Sequence, residues 1–390
     1  MLKVKELRQL WLKESMDFKE AGEDTILIKW SHNYFEDYQK MSYQFYECGY
    51  RIFVEVIQDP ENNIKSDMWF PVGIFLARQS IELGLKALLC RSYDKNNLIQ
   101  AAFENCKHDV SGLFEKYNDI SKEDYLSNKE KHWLVQYLAS LEEIDGNSAL
   151  FRFPFEDEFL SRYKNKFLDN FQVANNMLQA FNIIQKCIQK GNIDEECKFD
   201  NTLEPEFFIF TPDGTGNCWL HQEVSDEGFH VRITGYSGVI DFIYNNKEIS
   251  KETKFYPLMF MFRNTVELGL KRLFYNGINY GIPLQKFWAK KNSHLIEKEL
   301  WKNVKPIIVQ HVHTDNDRKY MNTIEDLICD ISLLDKNGDT FRYPTSYSLE
   351  YRLDGKCFNL KSAYTHLHDL IDNFCGLDTM FYEKAQNERG

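Results

Sequence analysis

The chain lacks the short motifs that announce a familiar chemistry. Its 390 residues hold no Gly-x-Ser-x-Gly elbow, no His-Glu-x-x-His pair and no Cys-x-x-Cys pair. Gly214-Thr215-Gly216 has neither the lysine nor the strand–loop–helix setting of a phosphate loop. An excess of basic residues is also missing. There are 47 Lys and Arg against 59 Asp and Glu, a net charge of −12, which excludes a chain-wide electrostatic grip on nucleic acid and leaves only a local one. No run approaches the roughly 18 apolar residues of a membrane span, so no membrane association is expected. Residues 1–16 are charged and mildly amphipathic rather than leader-like. The nine cysteines are scattered and odd in number. Both features suit a reducing cytoplasm, where thiols act as small apolar groups.

Metal ligands are sparse as well. His311-Val312-His313, followed by Asp315 and Asp317, has no Cys/His grouping at zinc spacing around it. His366 and His368 fall in a helical stretch, which sets them about 200° apart. No metal and no cofactor are expected.

What the chain does have is repetition. Residues 78–88 read Arg-Gln-Ser-Ile-Glu-Leu-Gly-Leu-Lys-Ala-Leu, and residues 263–273 read Arg-Asn-Thr-Val-Glu-Leu-Gly-Leu-Lys-Arg-Leu. Seven of eleven positions are identical and three more are close swaps, at an offset of 263 − 78 = 185. Lys107-His108-Asp109 and Ser293-His294-Leu295 follow at 294 − 108 = 186. Phe151-Arg152-Phe153-Pro154 and Phe341-Arg342-Tyr343-Pro344 close the series at 341 − 151 = 190. This period is too long for a solenoid. Three ordered echoes predict a duplicated domain, with a boundary in the polar stretch Gly191–Pro205 and two units of 1–195 and 196–390 packed about a pseudo-two-fold axis.

Apolar spacing predicts helices over 33–58, 68–92, 109–118 and 122–144, one or two long helices over 155–190, and helices again over 238–247, 254–277, 294–303, 316–335 and 358–374. Residues 206–235 carry an aromatic run, a Pro-Asp-Gly-Thr-Gly-Asn turn and an alternating Phe229–Thr234, which predict a small β-hairpin. Thr25–Trp30 is its counterpart in the first half. The fold class is mainly α, two tandem bundles with minor β decoration.

Arg78, Glu82 and Lys86 lie four apart and line one helical stripe, as do Arg263, Glu267 and Lys271. The stripe borders the apolar face. It reads either as a structural ion-pair ladder or as a polar cleft where Arg and Lys hold phosphate and Glu orients them. Gly84 and Gly269 sit mid-helix at a cost of about 1 kcal/mol each against Ala, which predicts a close crossing of another backbone. His108 and His294 open helices, where they cap, pack or transfer protons. Arg152 and Arg342 are held by the stiffened segment before each Pro. They suit either a pair with Glu82 or Glu267, or bidentate phosphate binding. Lys290 and Lys291, beside Phe287 and Trp288, lie in the most basic stretch and read as an RNA-facing helix or a solvated face.

A helix reading Arg-x-x-x-Glu-Leu-x-Leu-Lys-x-Leu, followed about thirty residues on by a helix-opening His, resembles the HEPN superfamily over roughly 33–190 and 238–375. The resemblance implies tandem HEPN-like helical bundles that imitate a homodimer, in a monomer acting as a pseudo-dimer or in a higher homo-oligomer. It also implies a place in prokaryotic antiviral defence, toxin–antitoxin or stress-response systems, with RNA or a nucleotide in the cleft and a protein partner encoded nearby. Ribonucleases of that superfamily carry an Arg four to six residues before a His. None of the ten histidines here has one, so that pair transfers to no position. Three readings stand: recognition of RNA or a nucleotide, an atypical metal-independent ribonuclease using His108 or His294 with Arg152 or Arg342, and a structural partner-binding module.

Overall fold

A computed structural model describes residues 24–121, 124–192, 198–310 and 313–387. The first half runs β1 (Thr25–Leu27), α1 (Tyr34–Gln58), a π-helical turn (Lys65–Trp69), α2 (Phe70–Ser92), α3 (Asn96–Cys106), α4 (Val110–Ile120), α5 (Asn128–Asp145), α6 (Asp157–Tyr163), β2 (Phe167–Asp169) and α7 (Asn170–Ile188). The second half runs β3 (Phe210–Thr211), β4 (Asn217–Trp219), α8 (Asp226–Asn245), α9 (Lys251–Asn276), α10 (Leu284–Lys290), a second π-helical turn (Ile296–Trp301), α11 (Lys302–Val309), α12 (Asp315–Leu334), β5 (Cys357–Asn359) and α13 (Leu360–Asn387).

The two helices that carry the repeated motif are the centres of the two halves. Every residue of α2 from Phe70 to Cys90 is buried, and so is every residue of α9 from Lys254 to Lys271. A helix apolar on all sides needs neighbours all round. Helices α1, α4 and α7 supply them for α2, and α8, α13 and the 296–301 turn supply them for α9. Pro71 stands in the first turn of α2, where its missing N–H has no partner to lose. The halves meet where α1 runs along α9 and the 65–69 turn along α8. At the seam Phe75 stacks on Phe260 with ring centroids 4.6 Å apart.

The strands tie the halves together by exchange. β1 pairs antiparallel with β5, Ile26 opposite Phe358. β2 pairs antiparallel with β4, Leu168 opposite Cys218, and β3 lines the other edge of β2. The strand that precedes the first helix of each half thus pairs with the strand that precedes the last helix of the other. The offsets are 217 − 25 = 192 and 357 − 167 = 190. The registers also correspond: Thr25 faces Asn359, and Asn217 faces Asp169.

Three sequence expectations change. The hairpin near 206–235 does not form as such, because β3 and β4 both pair with β2 and not with each other. Phe229–Thr234 belongs to α8, opened by the Ser225 side chain accepting from the Gly228 N–H. α8 buries Phe229, Val231, Arg232 and Ile233 against more than one neighbour, which blurs its 3.6 period into an alternation. Of the one or two long helices expected over 155–190, the structure has two, but the first is short and β2 stands between them after Asn165, whose φ is 63°. Residues 1–16 and the His311–Val312 pair lie outside the described residues.

Gly84 and Gly269 mark tight places, but of side-chain packing. A Cβ on Gly84 would sit 2.9 Å from Ile184 Cγ2 and 3.3 Å from Ser42 Oγ, and one on Gly269 would sit 2.7 Å from Phe374 Cδ2. Close backbone approaches fall instead at Gly49 of α1, where a Cβ would lie 3.1 Å from the Ala77 amide nitrogen, and at Gly235 of α8, where it would lie closer still to the Met68 carbonyl oxygen. Gly84→Leu should therefore overpack the α1–α2–α7 contact and cost roughly 1–3 kcal/mol beyond any propensity gain. Urea unfolding measures it, and a variant as stable as the parent would show that the neighbours give way freely.

Candidate functional site

The charged stripe does not border the core; it lies inside it. Arg78, Glu82 and Lys86 are 0%, 0% and 1% exposed. One turn of helix separates each from the next, so the central carboxylate receives both cations. Glu82 Oε2 pairs with Arg78 Nη1, and Oε1 accepts from Lys86 Nζ at 2.7 Å. Arg78 Nη2 donates to the His108 carbonyl at 2.7 Å. His108 Nδ1 lies 3.2 Å from Glu82 Oε1.

The second half repeats this set. Glu267 Oε2 pairs with Arg263 Nη1, and Oε1 meets Lys271 Nζ at 2.7 Å. Arg263 Nη2 donates to the His294 carbonyl at 2.5 Å, and His294 Nδ1 lies 2.9 Å from Glu267 Oε1. A further aspartate completes each set. Arg78 Nε is 3.6 Å from Asp145 Oδ2, and Arg263 Nε is 3.6 Å from Asp335 Oδ2. The other oxygen of each aspartate accepts backbone N–H groups of the turn that follows, Ala149 and Leu150 in one case and Gly338, Asp339 and Thr340 in the other. Two cations and two carboxylates balance in each network, as burial of charge requires.

The Phe-Arg-x-Pro segments cross between halves. Arg342 donates from Nη2 to Gln79 Oε1 at 2.8 Å and to Ser148 Oγ at 2.9 Å, and Gln79 Nε2 donates back to the Arg342 carbonyl at 3.1 Å. Arg152 Nε donates to Asn264 Oδ1 at 3.3 Å, and Asn264 Nδ2 donates back to the Arg152 carbonyl at 3.2 Å. Each guanidinium also lies 5.6 Å from a ring of the other half, Arg342 over Phe75 and Arg152 over Phe260. The residue after each arginine covers the opposite lysine: Lys86 stands 4.3 Å from the Tyr343 ring and Lys271 stands 4.0 Å from the Phe153 ring.

No protein-family model matches this chain, and neither a curated protein nor a solved structure does.

The site's chemistry is therefore read from its geometry. Burial alone would raise the Glu82 carboxyl, but Lys86, His108 and Arg78 together hold it well below the usual carboxylate range. Glu267 is held low in the same way by Lys271, Arg263 and His294. Burial pushes the His108 imidazole down, with Glu82 opposing. Burial, and then the neighbouring Arg342, lowers Arg152 to about 10, which leaves it cationic at neutral pH. Of the Arg–Glu–Lys–His sets, only the imidazoles reach the surface: the His108 side chain is 24% exposed and that of His294 38%. Each is tethered at Nδ1 to a carboxylate. Neither Nε2 makes a hydrogen bond to the described residues.

The structure thus brings Arg78, Glu82, Lys86 and His108 together with Arg342 nearby, and Arg263, Glu267, Lys271 and His294 together with Arg152 nearby. Arg152 and Arg342 bond to Asn264 and Gln79 rather than to the glutamates, and they are 5% and 2% exposed, so neither presents a surface phosphate site. Lys290 donates to Glu299 at 2.7 Å and Lys291 pairs with Glu156, and neither bonds to Glu267. A groove of about 790 Å3 between α5, α7 and residues 198–203 shares no residue with either network.

Asp145, Asp335, Gln79 and Asn264 escaped notice in the sequence. A signal existed for all four. Each aspartate stands six residues before the Phe of its Phe-Arg-x-Pro segment, and Gln79 and Asn264 follow the repeated arginines.

Glu82→Gln leaves Arg78 and Lys86 buried with too little negative charge, and the expected loss is roughly 3–5 kcal/mol. Glu267→Gln should cost a similar amount. Denaturant unfolding at pH 7 checks both, and a loss below about 1 kcal/mol would mean that water reaches the network.

Glu142 gives the opposite sign. Burial, and then Asp109, raises its carboxyl to about 7 from an ordinary 4.5. Its contribution to stability is present below about pH 4.5 and is lost as pH rises through 7. Glu142→Gln should therefore stabilise the protein at pH 8 by about 1 kcal/mol, after discounting for its partial exposure, and by little at pH 5. Melting curves at the two pH values test this.

Proposed function

We propose that this chain is a tandem HEPN-like protein of prokaryotic defence or stress response, acting in the cytoplasm, that recognises RNA or a nucleotide at two imidazole sites near the seam between its halves. In this reading the halves are related by a pseudo-two-fold axis and imitate a homodimer. The three sequence echoes and the doubled strand and arm exchanges support it. The observation that carries it is the pair of surface-reaching histidines, each anchored at Nδ1 by a buried carboxylate. Such an anchor fixes the ring and leaves Nε2 to face a ligand. The buried Arg, Glu and Lys residues, with Arg152 and Arg342, set the position of the imidazoles. With a net charge of −12, binding relies on local contacts rather than long-range steering.

One observation favours a second reading. A carboxylate–imidazole pair with a free Nε2 is also the arrangement of a general base. A metal-independent ribonuclease would use it to take the proton of an RNA 2′-hydroxyl.

Both readings are tested on one set of samples. Single-stranded and hairpin RNA would be titrated with the purified protein in EDTA, with anisotropy for binding and a denaturing gel for cleavage. Binding without cleavage is expected, weakened about tenfold or more, 1.4 kcal/mol, in the His108→Ala/His294→Ala protein. Cleavage in EDTA that the double substitution abolishes would replace the first reading with the second. RNA binding that is absent, or unchanged by the substitutions, would overturn both.

A further inference from the structure

We infer that the two imidazole sites are not interchangeable: Tyr343 closes the site at His108 into a structural one, and His294 is the imidazole that meets ligand. The inference deepens the proposed function and rests on it for the word ligand, but the difference between the sites stands on geometry alone.

The Arg–Glu, Lys–Glu and His–Glu contacts correspond in the two networks, and the group that stands against the central carboxylate from the crossing segment differs. Tyr343 and Phe153 occupy the same place in the two crossing segments, 343 − 153 = 190. The Tyr343 hydroxyl donates to Glu82 Oε1 at 2.6 Å and lies 3.0 Å from His108 Nδ1. A phenol has one proton, which goes to the carboxylate. Its oxygen then accepts from the His108 Nδ1–H, so that hydrogen is shared between Tyr343 and Glu82. Phe153 has no hydroxyl, and His294 gives its Nδ1–H to Glu267 alone.

The distances agree: 3.2 and 3.4 Å from His108 Nδ1 to the two Glu82 oxygens, against 2.9 Å from His294 Nδ1 to Glu267 Oε1. An undivided carboxylate partner fixes the tautomer and orientation of an imidazole better. Cover differs in the same sense: the His108 side chain is 24% exposed and that of His294 38%. The charged groups around His108 are Glu82, Arg78 and Lys86 from its own half and Arg342 from the other. Around His294 they are Glu267, Arg263 and Lys271 from its own half and Arg152 from the other.

The test is carbethoxylation with diethyl pyrocarbonate, followed residue by residue by peptide mass spectrometry. His294 should react about fivefold or more faster than His108, since its greater exposure and its undivided carboxylate partner both favour it. Tyr343→Phe should speed His108 toward His294, and Phe153→Tyr should slow His294 toward His108. Should Tyr343→Phe fail to fold, Phe153→Tyr decides alone. Equal rates in the parent, or swaps that leave their histidines unchanged, overturn the inference. In the RNA assay His294→Ala should then weaken binding more than His108→Ala does. A protein that binds no RNA yet shows the labelling asymmetry would remove the proposed function and keep the closed site. A protein that binds RNA with equivalent histidines would do the reverse.

Discussion

Two buried carboxylates, Glu82 and Glu267, set the terms for the rest of the molecule. Each sits at the middle of a helix that has no solvent-facing side, so each ion must find its partners inside the protein. Arg and Lys one turn to either side supply charge. That leaves further hydrogen-bonding groups to satisfy, and the surroundings are arranged to meet them. The His108 and His294 carbonyls take the arginine Nη2 atoms, and Asp145 and Asp335 stand beside the Nε atoms. A buried ion network need not add net stability over apolar packing. What it imposes is geometry, because any shift in register leaves a charge uncompensated.

That geometry reaches across the seam. The aspartates fold the turns that launch the Phe-Arg-x-Pro segments, and those segments end on the other half's central helix. Arg342 meets Gln79, and Arg152 meets Asn264. The strands make the same exchange at the periphery, β1 with β5 and β2 with β4. Each half thus completes the other at its centre and at its edge. The histidines sit where the central exchange meets solvent, and their surroundings are built by both halves.

Burial also accounts for what the site is not. Arg152 and Arg342 stack over Phe260 and Phe75 and spend their donors on Asn264, Gln79 and Ser148. Lys290 and Lys291 are engaged by Glu299 and Glu156. These cations serve packing and pairing, and within the Arg–Glu–Lys–His sets what remains open to solvent is the imidazole edge.

The sequence by itself determined a good deal. Seven identities in eleven positions at a spacing of 185 marked the repeated helices, and the later His and Phe-Arg-x-Pro echoes marked the residues that gather around them. Helical class followed from apolar spacing, whereas the close backbone crossing expected at Gly84 and Gly269 is a contact with side chains. The four-residue steps from Arg78 to Lys86 placed the ladder on one stripe because helix geometry is local. Only the tertiary structure decided that the stripe is internal, since burial depends on which neighbours surround the helix and not on its own period. It alone decided that the arms and strands cross between halves, because pairing with one's own half or the other leaves the same local pattern. It also turned Phe229–Thr234 from an apparent strand into part of α8, a helix buried on more than one side. Finally, it gave meaning to one hydroxyl: Tyr343 against Phe153 is a conservative difference in sequence, and it matters only because folding sets that position against a carboxylate and an imidazole.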